Sequence, residues 1–76
     1  MYRCYTTERP LTPGSVPRQR EAVNVVNYNK KKPVIVYSRK ENFKKSLEIY
    51  GYVDYEEALT KEEIEDYELV EVYRND

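Results

Sequence analysis

Apolar and polar residues alternate along several short stretches of this chain, a period-two pattern that predicts β-strands. The pattern predicts five strands, near residues 2–6, 22–28, 33–37, 50–55 and 69–73, with a turn at 29–32. In the fourth of these strands, Tyr50, Tyr52 and Asp54 fall on one face. Val53 and Tyr55 fall on the opposite face, because side chains alternate along a strand.

Residues 59–64, in the second half of the chain, have the sequence signals of a helix N-terminus. Thr60 is a good N-cap residue, and Glu63 follows three residues later, which is the spacing of a capping box. Leu59 and Ile64 occupy the two positions of a hydrophobic staple over the same turn. These signals predict a helix from Lys61 to about Glu68.

A second helix is predicted between the third and fourth strands. Residues 38–41 repeat the capping-box pattern, with Ser at the first position and Glu at the fourth. Phe43, Leu47 and Tyr50 then follow at the i, i+4, i+7 spacing of a helical face. The spacing predicts a helix near residues 39–48, which Gly51 would end.

The order of predicted elements indicates an α+β fold. Three prolines and a glycine within residues 9–17 predict a loop after the first strand. The full order is then β, loop, β, β, α, β, α, β. Such an order predicts a small, mostly antiparallel β-sheet with one or two short helices packed on one face. With 76 residues, the chain is expected to form a single domain, residues 1–76.

Composition excludes several classes of chemistry. The chain has one cysteine and no histidine, so it cannot form an intramolecular disulfide, a Cys/His zinc site or a His-dependent triad. Carboxylates are common, but none has a spacing that selects for acid–base catalysis or Mg²⁺. We therefore expect a protein without cofactor or metal that is not an enzyme, with Cys4 as a small buried thiol. No membrane span or signal peptide is visible, which favours a cytoplasmic protein.

Charge divides the chain into two unequal halves. Residues 1–45 contain 11 Lys/Arg and 3 Asp/Glu, whereas residues 46–76 contain 2 Lys/Arg and 11 Asp/Glu. Such asymmetry indicates an electrostatic partner. It also fits an internal explanation, in which basic and acidic side chains of the two halves interleave within one domain.

The acidic half provides the first candidate binding surface. Exposed carboxylates around the capped helix could fit a basic groove, as a decoy for a nucleic-acid backbone. The alternative is the ordinary polar side of an amphipathic helix. Glu63 is excluded from the set because the capping box explains it. The candidate partner-binding residues are Glu56, Glu57, Glu62, Glu65, Asp66 and Glu68.

The basic half provides the second candidate surface. Neighbouring lysines attract phosphates without regard to base sequence, and tyrosines near them could stack on single-stranded bases. The alternative is a solvated hairpin turn whose lysines protect a sheet edge from pairing with another chain. The candidate nucleic-acid contacts are Lys30, Lys31, Lys32, Lys44 and Lys45.

Several short motifs, in order, resemble those of one family of small proteins. The motifs are Tyr5-Thr6-Thr7-Glu8-Arg9-Pro10, Pro13-Gly14, Asn24-Val25-Val26-Asn27-Tyr28, Gly51-Tyr52-Val53-Asp54-Tyr55, Leu59-Thr60 and Tyr67-Glu68-Leu69. They are similar to the "defence against restriction DarA-related" proteins encoded on plasmids, conjugative elements and phages of Firmicutes. Related modules also resemble the N-terminal parts of some anti-CRISPR proteins. The resemblance carries no catalytic motif.

The resemblance implies a function in protecting incoming DNA from bacterial defence nucleases. We expect a non-catalytic inhibitor that contacts a restriction or CRISPR nuclease directly, in the cytoplasm of the bacterial host. A nucleic-acid-binding accessory or autoregulatory protein that uses the basic half is the alternative. A purely structural interaction domain is a third hypothesis.

Overall fold

A four-stranded antiparallel sheet forms most of the protein. The computed structural model describes residues 1–38 and 43–71. The strands are β1 (Tyr2–Thr6), β2 (Asn24–Ser38), β3 (Phe43–Tyr55) and β4 (Leu69–Glu71), and their order across the sheet is β2-β3-β1-β4. One short helix, α1 (Lys61–Asp66), precedes β4, and a 3₁₀ turn spans Gln19–Glu21. The fold is therefore mostly β, with one α-helix in the part of the chain that is described.

The helix predicted near residues 39–48 is wrong for residues 43–48, which belong to β3. Residues 39–42, and with them most of the second capping-box pattern, lie outside the described residues. In β3, Leu47 pairs with Val34 and Lys45 pairs with Val36 across the strand. The β-branched run of β2 needs a pairing partner for its backbone, and the cross-strand contacts of a hairpin outweigh a helical spacing carried by three residues.

The turn predicted at residues 29–32 is also wrong, since β2 continues through it as a single strand. Asn27 pairs with Gly51, but the next pair joins Lys32 to Ile49. Four residues of β2 thus face one residue of β3, which makes a β-bulge. Asn29 adopts a left-handed conformation with φ of 65°, and its backbone N–H donates to Oδ1 of Asn27 over 3.1 Å.

The bulge joins two parts of a long β2–β3 hairpin. At one end, residues 51–55 of β3 also pair with β1. At the other end, residues 32–38 and 43–49 pair only with each other among the described residues, and we call this ribbon the hairpin arm. Pro33 lies in the arm on β2, an edge strand, where the missing N–H of proline is tolerated.

The core lies on one face of the sheet, beneath α1 and the proline-rich loop. Ile64 and Tyr67 of α1 pack against it. The Tyr55 hydroxyl donates to the Pro17 carbonyl, which ties the loop to β3. The buried cluster is Cys4, Leu11, Val16, Val53, Tyr55, Leu59 and Leu69.

The predicted capping box is confirmed at the start of α1. The Thr60 hydroxyl accepts from the Glu63 backbone N–H over 3.1 Å, and the Glu63 carboxylate accepts from the Thr60 N–H over 2.9 Å. Leu59 is buried and Ile64 packs against the same cluster, as the staple requires. The helix ends at Asp66, and Glu68 has φ of 53°, so the last turn ends sooner than expected. Residues 72–73 of the predicted last strand lie outside the described residues.

The α+β prediction is confirmed in part. The sheet is antiparallel and a helix packs on one of its faces, but a single short helix contributes little to a largely β fold. Within residues 1–38 and 43–71, no helix is long and apolar enough to cross a bilayer.

Candidate functional site

The six residues of the acidic surface are all exposed. Two of them lie in the loop before α1, three on α1 and one in the turn after it. Glu68 forms an ion pair with Arg9, so its charge is partly neutralised. The other five, Glu56, Glu57, Glu62, Glu65 and Asp66, have no ion pair within residues 1–38 and 43–71.

Glu63 belongs to the scaffold of this surface. Nε and Nη2 of Arg18 donate to its two carboxylate oxygens over 3.0 and 3.2 Å. Together with the Thr60 N–H, these bonds favour the ionised form and lower the pKa of Glu63 to about 2. Arg18 thereby joins the 3₁₀ turn to the start of α1.

A shallow cavity of about 250 Å³ opens beside the acidic surface. Arg18, Glu21, Tyr55, Glu56 and Glu57 line it. Its volume is below the range of roughly 300–1,000 Å³ that is usual for small-molecule sites. Its lining has both charge signs, and Arg18 is already held by Glu21 and Glu63. We therefore assign the cavity no ligand.

The basic candidates lie on the hairpin, apart from the acidic surface. All five lysines are exposed, and none has an ion pair in the described part of the chain. Lys30 and Lys31 lie in the bulge of β2, and Lys32 follows it. Lys44 and Lys45 are neighbours in β3, so their side chains leave opposite faces of the arm.

Two of these lysines lie over tyrosine rings. The Lys31 Nζ is 5.5 Å from the Tyr50 ring centroid, and the Lys32 Nζ is 4.6 Å from the Tyr28 centroid. Both distances are within the range of a cation–π contact. The structure thus brings Lys31 and Lys32 next to two tyrosines, while Lys44 and Lys45 lie farther along the arm.

Three arginines of the first half form ion pairs with carboxylates of the second half, as the internal explanation of the charge split requires. Arg3 pairs with Asp54, Arg9 with Glu68 and Arg18 with Glu63, each across more than 40 residues of sequence. The arginines therefore bind the two halves together internally. The lysines and most of the acidic surface are left available to a partner.

The sheet face opposite the core carries a cluster that the sequence motifs did not predict. Side chains alternate along β1 and β3, and two residues that pair between these strands point to the same side of the sheet. The loop and helix residues of the core pack on the other side. We call the side opposite the core the open face, although most of its side chains are half-buried. Its members are Arg3, Tyr5, Asn24, Val26, Tyr50, Tyr52, Asp54 and Val70.

Asp54 anchors the open face although it is fully buried. Nε and Nη2 of Arg3 donate to it over 2.7 and 3.0 Å, and Nδ2 of Asn24 donates over 3.1 Å. The hydrogen bonds to Asp54 raise the pKa of Arg3. The Arg3 guanidinium carbon is 3.8 Å from the Tyr52 ring centroid, and the Tyr52 and Tyr5 rings meet edge to face at 6.1 Å.

The alternation of Tyr50, Tyr52 and Asp54 placed these three side chains on one face correctly. The partners of Asp54 could not be found in the same way. Arg3 is 51 residues away, and no local pattern links the two. The remaining signal was the alternation of Arg3 and Tyr5 in β1, which matches that of β3.

No nucleophile or metal centre emerges from the described residues. Cys4 is fully buried, and burial raises the pKa of its thiol to about 12. Such a thiol is not ionised near neutral pH and is a poor nucleophile. Within residues 1–38 and 43–71, no group of three or more His, Cys, Asp or Glu side chains could hold a metal ion.

Comparison with known proteins identifies a family. No curated protein and no solved structure matches the chain. The sequence model of the family described as "Defence against restriction A C-terminal" matches residues 1–74. Because this match spans nearly all of the chain and agrees with the motifs in its sequence, the protein belongs to the defence against restriction A C-terminal family.

Proposed function

We propose that this protein is a non-catalytic inhibitor that binds a bacterial defence nuclease, of restriction or CRISPR type, by direct protein contact. The family description associates it with defence against restriction. The observation that carries the proposal is the acidic surface, in which five exposed carboxylates have no ion pair among the described residues. On this proposal, the protein is encoded by a phage, plasmid or other mobile element and acts in the cytoplasm of the bacterial host.

Charge is the physical basis of the proposed contact. A nuclease must present a basic groove to bind the phosphates of its DNA substrate. Residues 56–71 contain eight Asp/Glu and one Lys, so this segment has a charge of the same sign as DNA. Complementary potentials speed association and select the partner. The Arg18–Glu63 bonds and the capping box hold α1 in place, so the carboxylates on it are presented from a fixed backbone.

The test is a charge reversal on the helix. Glu62, Glu65 and Asp66 are exposed, so replacing all three with Lys should preserve the fold, which circular dichroism would check. Protection is then measured as the plating efficiency of unmodified phage on a restricting strain that expresses the protein. We expect protection to fall by more than about tenfold, because three attractive charges become repulsive.

The matched control reverses three exposed charges elsewhere. Lys30, Lys31 and Lys32 changed to Glu should leave protection nearly intact. If the lysine variant loses protection while the acidic variant keeps it, the proposal is wrong. A pull-down of wild-type and acidic-variant protein from host lysate, with mass spectrometry, should recover nuclease subunits with the wild type only.

A second candidate function is nucleic-acid binding by an accessory or autoregulatory protein. The observation that favours it is the position of the exposed lysines, two of which lie over tyrosine rings on the hairpin. The test is a gel shift with single- and double-stranded DNA at low and at physiological salt. Retardation that persists at physiological salt would support this candidate, and binding lost on modest salt addition would indicate non-specific attraction only.

A further inference from the structure

The open face presents aromatic rings in a regular row. Tyr50 and Tyr52 are two residues apart in β3, so their side chains rise from the same face about 7 Å apart. Tyr5 pairs with Tyr52 from β1 and widens the row. All three rings are only partly buried. The described loop and helix residues of the core pack on the opposite side of the sheet.

Each of the two β3 tyrosines has a cation beside it. The Arg3 guanidinium lies over Tyr52 at 3.8 Å, and the Lys31 ammonium lies near Tyr50 at 5.5 Å. A surface that binds a nucleic-acid strand needs aromatic rings, on which the bases stack, and cations, which attract the phosphates. A face that bound only apolar groups would gain nothing from the Lys31 ammonium.

The ion pair beneath this face keeps it rigid. Asp54 is fully buried and accepts from both Arg3 and Asn24, so it fixes the plane of the guanidinium against the Tyr52 ring. A preformed stacking surface loses little conformational freedom when a ligand binds. The Arg3 side chain remains 25% exposed, so the Arg3–Asp54 pair is in part accessible to solvent.

Charge on the two sides of the sheet favours a polyanion on the open face. Eight of the carboxylates belong to residues 56–71, which form α1, its flanking loops and β4. Lys31 lies beside Tyr50 on the open face, and alternation along β3 places Lys44 and the exposed Glu48 on the same side as Tyr50. A strand with its bases on the tyrosines would therefore meet cations, with most of the acidic surface in the helix layer.

The ring spacing selects for a single strand. Bases in a duplex are about 3.4 Å apart along each strand. Rings about 7 Å apart can each stack on one base only when the strand is extended and its bases are separated. A duplex also encloses its base faces, which would be out of reach of side chains on a flat sheet.

We propose that the open face binds single-stranded nucleic acid, with bases stacked on Tyr50 and Tyr52 and a phosphate bound by Lys31. This inference rests on the second candidate function and specifies its ligand and its residues. It is independent of the proposed contact between the acidic surface and a nuclease.

Fluorescence anisotropy with a labelled oligo(dT) of about 12 nucleotides tests the inference, since one small domain covers about 4–16 nucleotides. At about 50 mM salt, the single strand should bind more tightly than a duplex of equal length. Tyr50→Leu and Tyr52→Leu should each weaken oligo(dT) binding by about 5- to 150-fold, the range expected for one lost stacking contact. Tyr50→Phe and Tyr52→Phe keep a flat ring and should bind nearly as the wild type does.

Tyr2→Leu is the matched control, because Tyr2 is 47% exposed and lies on the core side of β1. It should leave oligo(dT) binding unchanged. Circular dichroism of each variant, with the Phe variants as conservative replacements, separates lost stacking from lost folding.

Three results would overturn the inference. One is wild-type protein that does not bind oligo(dT) at low salt. Another is wild-type protein that binds single strand and duplex equally, with binding unchanged in the Leu variants and lost when Lys30, Lys31 and Lys32 are changed to Glu. That result would support nucleic-acid binding by the lysines without the open face. The third is Leu variants that no longer protect phage DNA from restriction but still bind oligo(dT) as the wild type does. That result would indicate that the open face contacts a protein. Protection that survives in all tyrosine variants would leave the nuclease proposal standing.

Discussion

Gly51 should tolerate no side chain, although it lies within a regular strand. A Cβ atom at this position would be 2.1 Å from the carbonyl oxygen of Val26 and 2.7 Å from Cδ1 of Leu11. The leucine terminus can move, but the carbonyl belongs to the backbone of β2 just before the bulge. Gly51→Ala would therefore push β2 away from β3 by about 1 Å, enough to break the hydrogen bonds between them.

The cost of this substitution can be worked out from the contacts. Overpacking costs about 1–3 kcal/mol, and two lost ladder hydrogen bonds cost about 1 kcal/mol each. The sum of about 3–5 kcal/mol is a large part of the roughly 4–11 kcal/mol that a domain of this length has in total. The melting midpoint should fall by roughly 12–40 °C, at about 4–8 °C per kcal/mol.

Gly14→Ala is the control for this experiment. Gly14 has φ of 85° and nothing within 4 Å of an added Cβ, so the change introduces backbone strain without a clash. It should cost about 1–2 kcal/mol. Thermal melts followed by circular dichroism would compare the two variants. A Gly51→Ala midpoint within a few degrees of the wild type, or above that of Gly14→Ala, would refute the packing of β2 against β3 at the bulge.

Two further predictions concern the start of α1. Thr60→Ala removes the hydroxyl that accepts from the Glu63 N–H and should cost about 1 kcal/mol, lowering the melting midpoint by roughly 4–8 °C; an unchanged melt would contradict a role of the cap in stability. The pKa of Glu63 is lowered from 4.5 to about 2, so its ion pair should stabilise the fold above about pH 4.5 and lose its effect as the pH falls to about 2. Glu63→Gln keeps a capping-box side chain without the charge, so its deficit in melting midpoint should shrink over that pH range; a deficit independent of pH would exclude the charge as its cause.

The capped helix could be predicted from sequence because its signals are local. The signals at Leu59, Thr60, Glu63 and Ile64 lie within six residues, and each hydrogen bond of the cap closes within one helical turn. Tertiary contacts only had to bury the side that the staple already defined. The alternation of Tyr50, Tyr52 and Val53 was predictable for the same reason, since the faces of a strand follow from its period alone.

The hairpin could not be predicted because non-local pairing determines it. The spacing of Leu47 from its sequence neighbours fits a helical face, whereas its pairing with Val34 requires a strand. Val34 is too far from Leu47 in sequence for a local pattern to show this pairing. Asn29 has the positive φ of many turn asparagines, although the turn predicted there is wrong. The chain nevertheless continues in the same strand, because β3 offers pairing partners on both sides of the bulge.

The internal explanation of the charge split holds for three arginines, whereas a partner for the lysines and the acidic surface is a proposal. The planar guanidinium groups of Arg3, Arg9 and Arg18 pair with carboxylates of the second half: Arg3 joins two strands of the sheet, and Arg9 and Arg18 join the loop after β1 to the α1 region. Arginine suits this role, since its fork matches a carboxylate and it remains charged when partly buried. The lysines stay exposed on the hairpin, as hydrated point charges do. On the proposal that the hairpin binds nucleic acid, replacing Arg3, Arg9 or Arg18 should change the melting midpoint, whereas replacing the hairpin lysines should change the salt dependence of DNA binding.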